Sequence, residues 1–118
     1  MEAQWRLRSQ VPDLDEERLS QLRLFHVELL RMNQTLSLIS TYTEKNADYL
    51  HFLDCLKACE FIFKENSKMQ SLFDLGSGNG FPGVVFAILY PQVKVVLVES
   101  DERFADFLRH ITTRLQLP

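Results

Sequence analysis

Apolar residues recur at Leu22, Phe25, Leu29, Met32 and Leu36, in alternating steps of three and four. That spacing lines one face of a helix and predicts a helical run from Asp13 to about Met32. Pro12 and Asp13 suit its start, and Asp15, Glu16 and Glu17 fall where the helix dipole is positive. The polar stretch NQTLSLISTYT then breaks the pattern. A second helix is expected from about Glu44 to Lys64, with Leu50, Leu53 and Leu56 inward and ENSKMQ as the loop after it.

The period changes downstream. SLFDL is short, apolar and bounded by glycine, which reads as a buried strand. GVVFAILY suits a helix opened near Pro82, with proline in its first turn. KVVLVE is a second strand, β-branched and continuously apolar as parallel strands are. DERFADFLRHITTRLQ follows as a helix with Phe104, Phe107, Leu108, Ile111 and Leu115 on one face. Strand, glycine loop, helix, strand, helix is the opening of an α/β, Rossmann-like sheet. The chain thus divides into an N-terminal helical extension, residues 1–66, and the first half of a Rossmann-like domain, residues 67–118.

Composition narrows the class. A chain of 118 residues and 13.8 kDa is long enough for a single core. Hydrophobic residues at 46% and charged residues at 25% exclude a disordered chain. A net charge of −3 argues against tight nonspecific nucleic-acid binding by this chain alone. No apolar run approaches the roughly 18 residues of a membrane span. MEAQWRLRSQ lacks the apolar core of a signal peptide, so the cytoplasm is the expected compartment and no membrane partner is expected. Cys55 and Cys59 stand four apart in a helical segment. A metal there would need further ligands, and His26, His51 and His110 are scattered, so the pair reads as two buried thiols with no metal.

All four glycines fall within FDLGSGNGFPG, Phe73 to Gly83. Read from Gly78, GNGFPG is the dinucleotide fingerprint G-x-G-x-x-G, with Glu99 at about the right distance for a ribose. Its weakness is that Asp74, Leu75, Gly76 and Ser77 make a poor strand end. Read from Asp74, the loop is Asp-x-Gly-x-Gly-x-Gly after a clean apolar strand, with Glu99 closing the next one. That frame resembles the nucleoside-binding loop of S-adenosylmethionine-dependent methyltransferases. Its chemistry fits a ligand without phosphate: an acid at Asp74 attracts an ammonium, and a carboxylate at Glu99 accepts from two ribose hydroxyls. Gly76, Gly78 and Gly80 let the backbone approach closely. A tight turn with no ligand is the third reading, and the frame from Asp74 is the favoured one.

The motif D-x-G-x-G-x-G-x-P-G, met by Asp74, Gly76, Gly78, Gly80, Pro82 and Gly83, occurs here together with His51-Phe52-Leu53-Asp54-Cys55 and MNQTLSLIS. In that combination, over most of its length, the chain resembles the glucose-inhibited division protein B (RsmG) family. Its members are bacterial methyltransferases that modify a guanine of small-subunit ribosomal RNA at N7. The resemblance implies a class I methyltransferase sheet behind an N-terminal helical extension, S-adenosyl-L-methionine as cofactor and ribosomal RNA as partner. It implies cofactor contacts at Asp74, Gly76, Ser77, Gly78, Gly80, Phe81 and Glu99. It places His51 and Asp54 on the catalytic side, and Asn33 and Arg103 toward RNA. The residues alone admit plainer roles: Asn33 ending a helix, His51 half-buried, Asp54 paired with Lys57. The sequence also departs from the family pattern. Ser37 stands where the family has asparagine and Ile39 where it has threonine. Arg103, Phe104 and Asp106 keep one positive charge where three are usual.

Guanine N7 offers a free lone pair, so methylation there needs positioning and no general base. Asp54 is the candidate to steady the positive charge that develops on the base. The family sheet has more strands than the two read here. Three explanations are open: an expressed or proteolysed fragment, a truncated gene product, or a chain that completes its sheet with a partner or by strand exchange. The fragment is favoured, and no turnover is expected from residues 1–118 alone. The alternative function is a non-catalytic interaction module that retains the loop, or a dinucleotide-binding protein.

Overall fold

The computed structural model describes residues 3–117. Helices α1 (Leu7–Gln10), α2 (Glu16–Asn33) and α3 (Thr41–Glu44) come first, then a π-helical segment Asp48–Leu53 that runs into α4 (Asp54–Glu65). Strand β1 (Ser71–Leu75), helix α5 (Gly83–Leu89), strand β2 (Lys94–Val98) and helix α6 (Glu102–Arg114) follow.

Helix α2 begins three residues later than the acidic pattern predicts. Asp15 is its cap, accepting the Arg18 N–H at 2.8 Å, with Glu16 and Glu17 in the first turn. The predicted apolar face is buried at Leu22, Phe25 and Leu29, with Leu19 added.

The expected single helix from Glu44 to Lys64 is instead broken. Asp48 is buried beneath the N-terminal segment, where its carboxylate accepts Arg6 N–H at 2.7 Å, Nε at 2.9 Å and Nη2 at 2.8 Å. The π-helical turns that follow take more residues per turn, which rotates the preceding side chains out of the α-helical phase. Leu50, predicted inward, is therefore 47% exposed, while Ala47 and Phe52 take the core positions and Leu56 stays buried. Sequence spacing assumes one period throughout, and here there are two.

Strands β1 and β2 pair in parallel, from Ser71 opposite Lys94 to Leu75 opposite Val98. Among the described residues they form a two-stranded sheet. Helix α5 covers the face carrying Leu72, Asp74, Val95 and Leu97, and Leu72, Val95 and Leu97 pack on the core. The opposite face is bare. Phe73 is 64%, Leu75 76% and Val98 43% exposed, so β1 is not the buried strand its composition suggests. Its apolar content exceeds what the elements present can cover.

One aromatic cluster joins the halves. Phe25 of α2 lies 5.3 Å from Phe52 and 5.1 Å from Phe81 between ring centroids, and Phe52 meets Phe81 edge-on at 5.1 Å. Cys55 and Cys59 are both buried free thiols, their sulfurs 3.9 Å apart. No helix among the described residues is long and apolar enough to cross a membrane.

Candidate cofactor site

The glycine loop leaves the end of β1 and closes on the start of α5. Its first turn is pinned to β2: the Gly76 and Ser77 amides both donate to the Val98 carbonyl, at 2.7 and 3.0 Å. The buried Ser77 hydroxyl donates to the Asp74 carbonyl at 2.8 Å and accepts the Val98 amide at 3.1 Å. The Ser77 hydroxyl thus holds the loop to both strands.

Two glycines are required by close approach. At Gly80, with φ +97°, a Cβ would lie 3.0 Å from both Phe25 Cζ and Val84 Cγ2. At Gly83 a Cβ would run into Leu97 Cδ2 and lie 2.6 Å from Asp74 Oδ2, so α5 is seated directly on the strand. Gly76, with φ +72°, has open space where its Cβ would be, so its exposed surface is free for a ligand.

Two carboxylates flank the loop. Glu99 accepts the Gly78 amide through Oε1 at 2.7 Å and the Asp101 amide through Oε2 at 3.0 Å. Each oxygen keeps a lone pair, so the half-buried side chain can still accept from a vicinal diol. Asp74 accepts the Gly83 amide through Oδ2 at 3.1 Å. Burial pushes its carboxyl above the ordinary range, the Glu99 charge adds to this, and the Gly83 amide and Ser77 oppose it. Among the described residues neither acid has a salt-bridge partner.

The amides at the start of α5 are committed. Gly83 N–H donates to Asp74, Val84 N–H to the Gly80 carbonyl at 2.8 Å, and Pro82 has none. A pyrophosphate would find two acids and few free donors there.

The sequence-derived residues fall at differing distances from the loop. His51 is half-buried with its ring 5.2 Å from the Phe81 ring, and burial lowers its pKa against the pull of Asp54. The imidazole therefore enters as a neutral ring. Asp54 is exposed at the start of α4. Phe81 reaches back into the aromatic cluster and is half-buried. Asn33 does not end its helix with a free side chain: its Oδ1 accepts the Leu38 and Ile39 amides, at 2.8 and 2.9 Å. Arg103 is exposed at the start of α6 and pairs with Asp101 at 3.0 Å, so a phosphate there would compete with a carboxylate.

Sequence reasoning passed over Asn79, whose Nδ2 donates to the Leu38 carbonyl at 3.0 Å while its Oδ1 accepts the Phe81 amide at 3.3 Å. The available signal was its place between Gly78 and Gly80, where a carboxamide brings both a donor and an acceptor to the crest of the loop.

Comparison with known proteins gives the family. A family model described as rRNA small subunit methyltransferase G (GidB) matches residues 18–118. The chain is 48% identical over 113 residues to "Ribosomal RNA small subunit methyltransferase G 3" of Bdellovibrio bacteriovorus, covering 96% of this chain and 51% of that protein. It is 36% identical over 105 residues to "Ribosomal RNA small subunit methyltransferase G" of Geobacter metallireducens, covering 89% and 46%. Against the protein of the same name from Mycoplasma mycoides it is 35% identical over 107 residues, covering 88% and 74%. The chain spans about half the length of the first two of these relatives. The match takes in α2, the π-helical segment and the whole glycine loop, and the chain belongs to the GidB family, that of rRNA small subunit methyltransferase G.

Proposed function

We propose that the Asp74–Gly83 loop, with Glu99, binds S-adenosyl-L-methionine for methyl transfer to guanine N7 of small-subunit ribosomal RNA. The observation that carries this reading is the charge and donor pattern of the loop. Asp74 and Glu99 present unneutralised acid, while the first amides of α5 are already taken. A ligand with an ammonium, a sulfonium and a ribose diol meets that pattern. A dinucleotide, with its anionic pyrophosphate, meets repulsion. The names of the relatives, rRNA small subunit methyltransferases, support the same reading.

The bound cofactor supplies an activated methyl group. Glu99 would accept from the ribose hydroxyls, Asp74 would hold the cationic methionine end, and Gly76 leaves room for close approach. The purine N7 lone pair takes the methyl as the sulfur–methyl bond breaks, and no proton is removed. The positive charge would pass to the base, and Asp54 is the carboxylate assigned to steady it. His51, kept neutral beside Phe81, is a flat surface for the base rather than a proton acceptor. An RNA phosphate reaching Arg103 would displace Asp101, which pairs with it at 3.0 Å.

The division at residues 66 and 67 belongs to the same reading: a helical extension that supports the loop, followed by the opening of the methyltransferase sheet. The bare face of Phe73, Leu75 and Val98 is where further family polypeptide, an exchanged strand or a partner chain would complete that sheet.

Titration calorimetry of the chain with S-adenosylmethionine and then NAD tests the cofactor. Saturable heat with the first, lost in Glu99→Ala and absent with NAD, is expected. Heat with NAD alone overturns the reading, and heat with neither from folded protein removes it in favour of an interaction module.

A further inference from the structure

The carboxamide of Asn33 holds the segment after α2, and the carbonyl of that segment holds the crest of the glycine loop. Asn33 Oδ1 accepts Leu38 N–H at 2.8 Å and Ile39 N–H at 2.9 Å, and its Nδ2 donates to Glu44 Oε1 at 3.2 Å. Helix termination does not explain this arrangement. The unsatisfied groups at a helix C-terminus are carbonyls, which an acceptor oxygen cannot serve. What Asn33 organises is the next turn, and it places the Leu38 carbonyl where Asn79 Nδ2 donates to it at 3.0 Å.

Asn79 then passes the constraint into the loop, since its Oδ1 accepts Phe81 N–H at 3.3 Å. It stands between Gly78, φ +52°, and Gly80, φ +97°, where the backbone has the least intrinsic preference for one shape. The first turn of the loop is fixed to β2 through Val98, but its crest is held to the N-terminal helices by Asn79 and by the Phe81 ring on Phe25. The helical extension is therefore wired to the crest of the loop, beyond the turn that β2 holds.

We propose that Asn33 and Asn79 are positioning residues that couple the N-terminal helices to the glycine loop and set its affinity for the nucleoside cofactor, with Asn33 acting through Leu38 and Asn79 rather than by contact with RNA. This rests on the S-adenosylmethionine reading of the loop. It adds a role for the extension that the reading does not contain.

The test is residue-resolved amide exchange on the intact chain, with S-adenosylmethionine affinity measured beside it. In Asn33→Ala the Leu38 and Ile39 amides exchange about fivefold faster, the scale of one lost net hydrogen bond. The distant amides of Gly80 and Phe81 also speed up several-fold, and cofactor affinity falls about three- to tenfold. Asn33→Asp keeps both acceptor bonds but sets a second carboxylate against Glu44, so it is combined with Glu44→Gln, whose amide donates to it. That pair restores the protection and affinity of the loop to about the wild-type level. Asn79→Asp keeps the Phe81 bond and loses the Leu38 bond, so it uncouples the halves without an Asn33 change. Should Asn33→Ala fail to fold, these two aspartate variants still decide the question. Changes confined to residues 34–39, with loop exchange and cofactor affinity unaltered, overturn the proposal. So does loss of RNA binding with an unaltered loop. Wild-type chain that binds no S-adenosylmethionine defeats the cofactor reading instead, while the exchange pattern still decides the coupling.

Discussion

Replacing Gly83 by alanine asks whether helix α5 is truly seated on β1. An added Cβ would run into Leu97 Cδ2, lie 2.6 Å from Asp74 Oδ2 and 3.1 Å from Asp74 Cβ. Carbon contacts are comfortable at about 3.5–4.0 Å. The Leu97 methyl ends a flexible side chain and can swing away. Asp74 Oδ2 is held by the Gly83 amide at 3.1 Å, and Asp74 Cβ is fixed to the strand, so one of two things must give. Either α5 withdraws from the sheet, an overpacking cost of about 1–3 kcal/mol, or Asp74 turns and its amide–carboxylate bond is lost, about 1.5–3 kcal/mol. Alanine regains about 0.5–1 kcal/mol of helix preference over glycine. The net expectation is destabilisation by about 1–2 kcal/mol. In a urea melt followed by Trp5 fluorescence and circular dichroism, that lowers the midpoint by about 0.5–1 M for a typical slope. Combining it with Asp74→Ala removes one clashing atom, so the second change costs less in that background. Gly76→Ala is the control. It meets nothing within 4 Å at φ +72°, and costs only the left-handed backbone penalty, about 1–2 kcal/mol, which asparagine reduces. An unchanged or raised midpoint for Gly83→Ala, the result of helix preference acting alone, would refute the seating of α5.

Three further outcomes follow from buried charge and bare surface. Burial lowers the His26 pKa from 6.5 to about 4, with the nearby Arg23 charge adding to this and Asp48 opposing it. The unfolded chain therefore takes up that proton first as pH falls. Stability is fully present above about 6.5 and declines toward pH 4, by about 3 kcal/mol in all, and His26→Phe flattens this limb of a pH-dependent urea series. Burial raises the Asp48 carboxyl, but the hydrogen bonds and charge of Arg6 outweigh that and leave it below the ordinary range. Its contribution is present above the unfolded carboxylate pKa and is lost as pH falls through the lower folded value. Asp48→Ala costs about 3 kcal/mol at neutral pH, and Asp48→Asn removes the effect below about pH 4, separating it from that of His26. Lysine at Phe73 or Leu75 changes monomer stability by no more than about 0.5 kcal/mol, and sedimentation shows weaker self-association, because both side chains are exposed; a loss of several kcal/mol would mean the face is covered in solution.

The sequence made α2 and α6 legible because each has one apolar face and an aspartate cap, Asp15 and Asp101. It made α5 and β2 legible as short continuous apolar runs between turn residues. It misled at Leu50, where buried Asp48 and a change of helical period move the inward face to Ala47 and Phe52. It misled at Phe73 and Leu75, because apolar content says what a strand wants to cover and nothing about what is present to cover it. Within the site, the glycines and the two acids were readable from spacing alone. The roles of Ser77, Asn33 and Asn79 were not, since each depends on where a distant carbonyl or amide arrives: Val98, Leu38 and Phe81. The cation preference of Asp74 was half-visible. An acid after a strand suggests it, but its burial and the proximity of Glu99 are properties of the fold.

The central claim is that the Asp74–Gly83 loop and Glu99 form a site for S-adenosylmethionine. An amide-resolved NMR titration of the chain tests it most directly. The account predicts saturable shifts centred on Gly76, Gly78, Gly80 and Glu99, produced at the same amides by S-adenosylhomocysteine and not reproduced by NAD. Folded protein whose loop resonances do not move, or move equally with NAD, would contradict it.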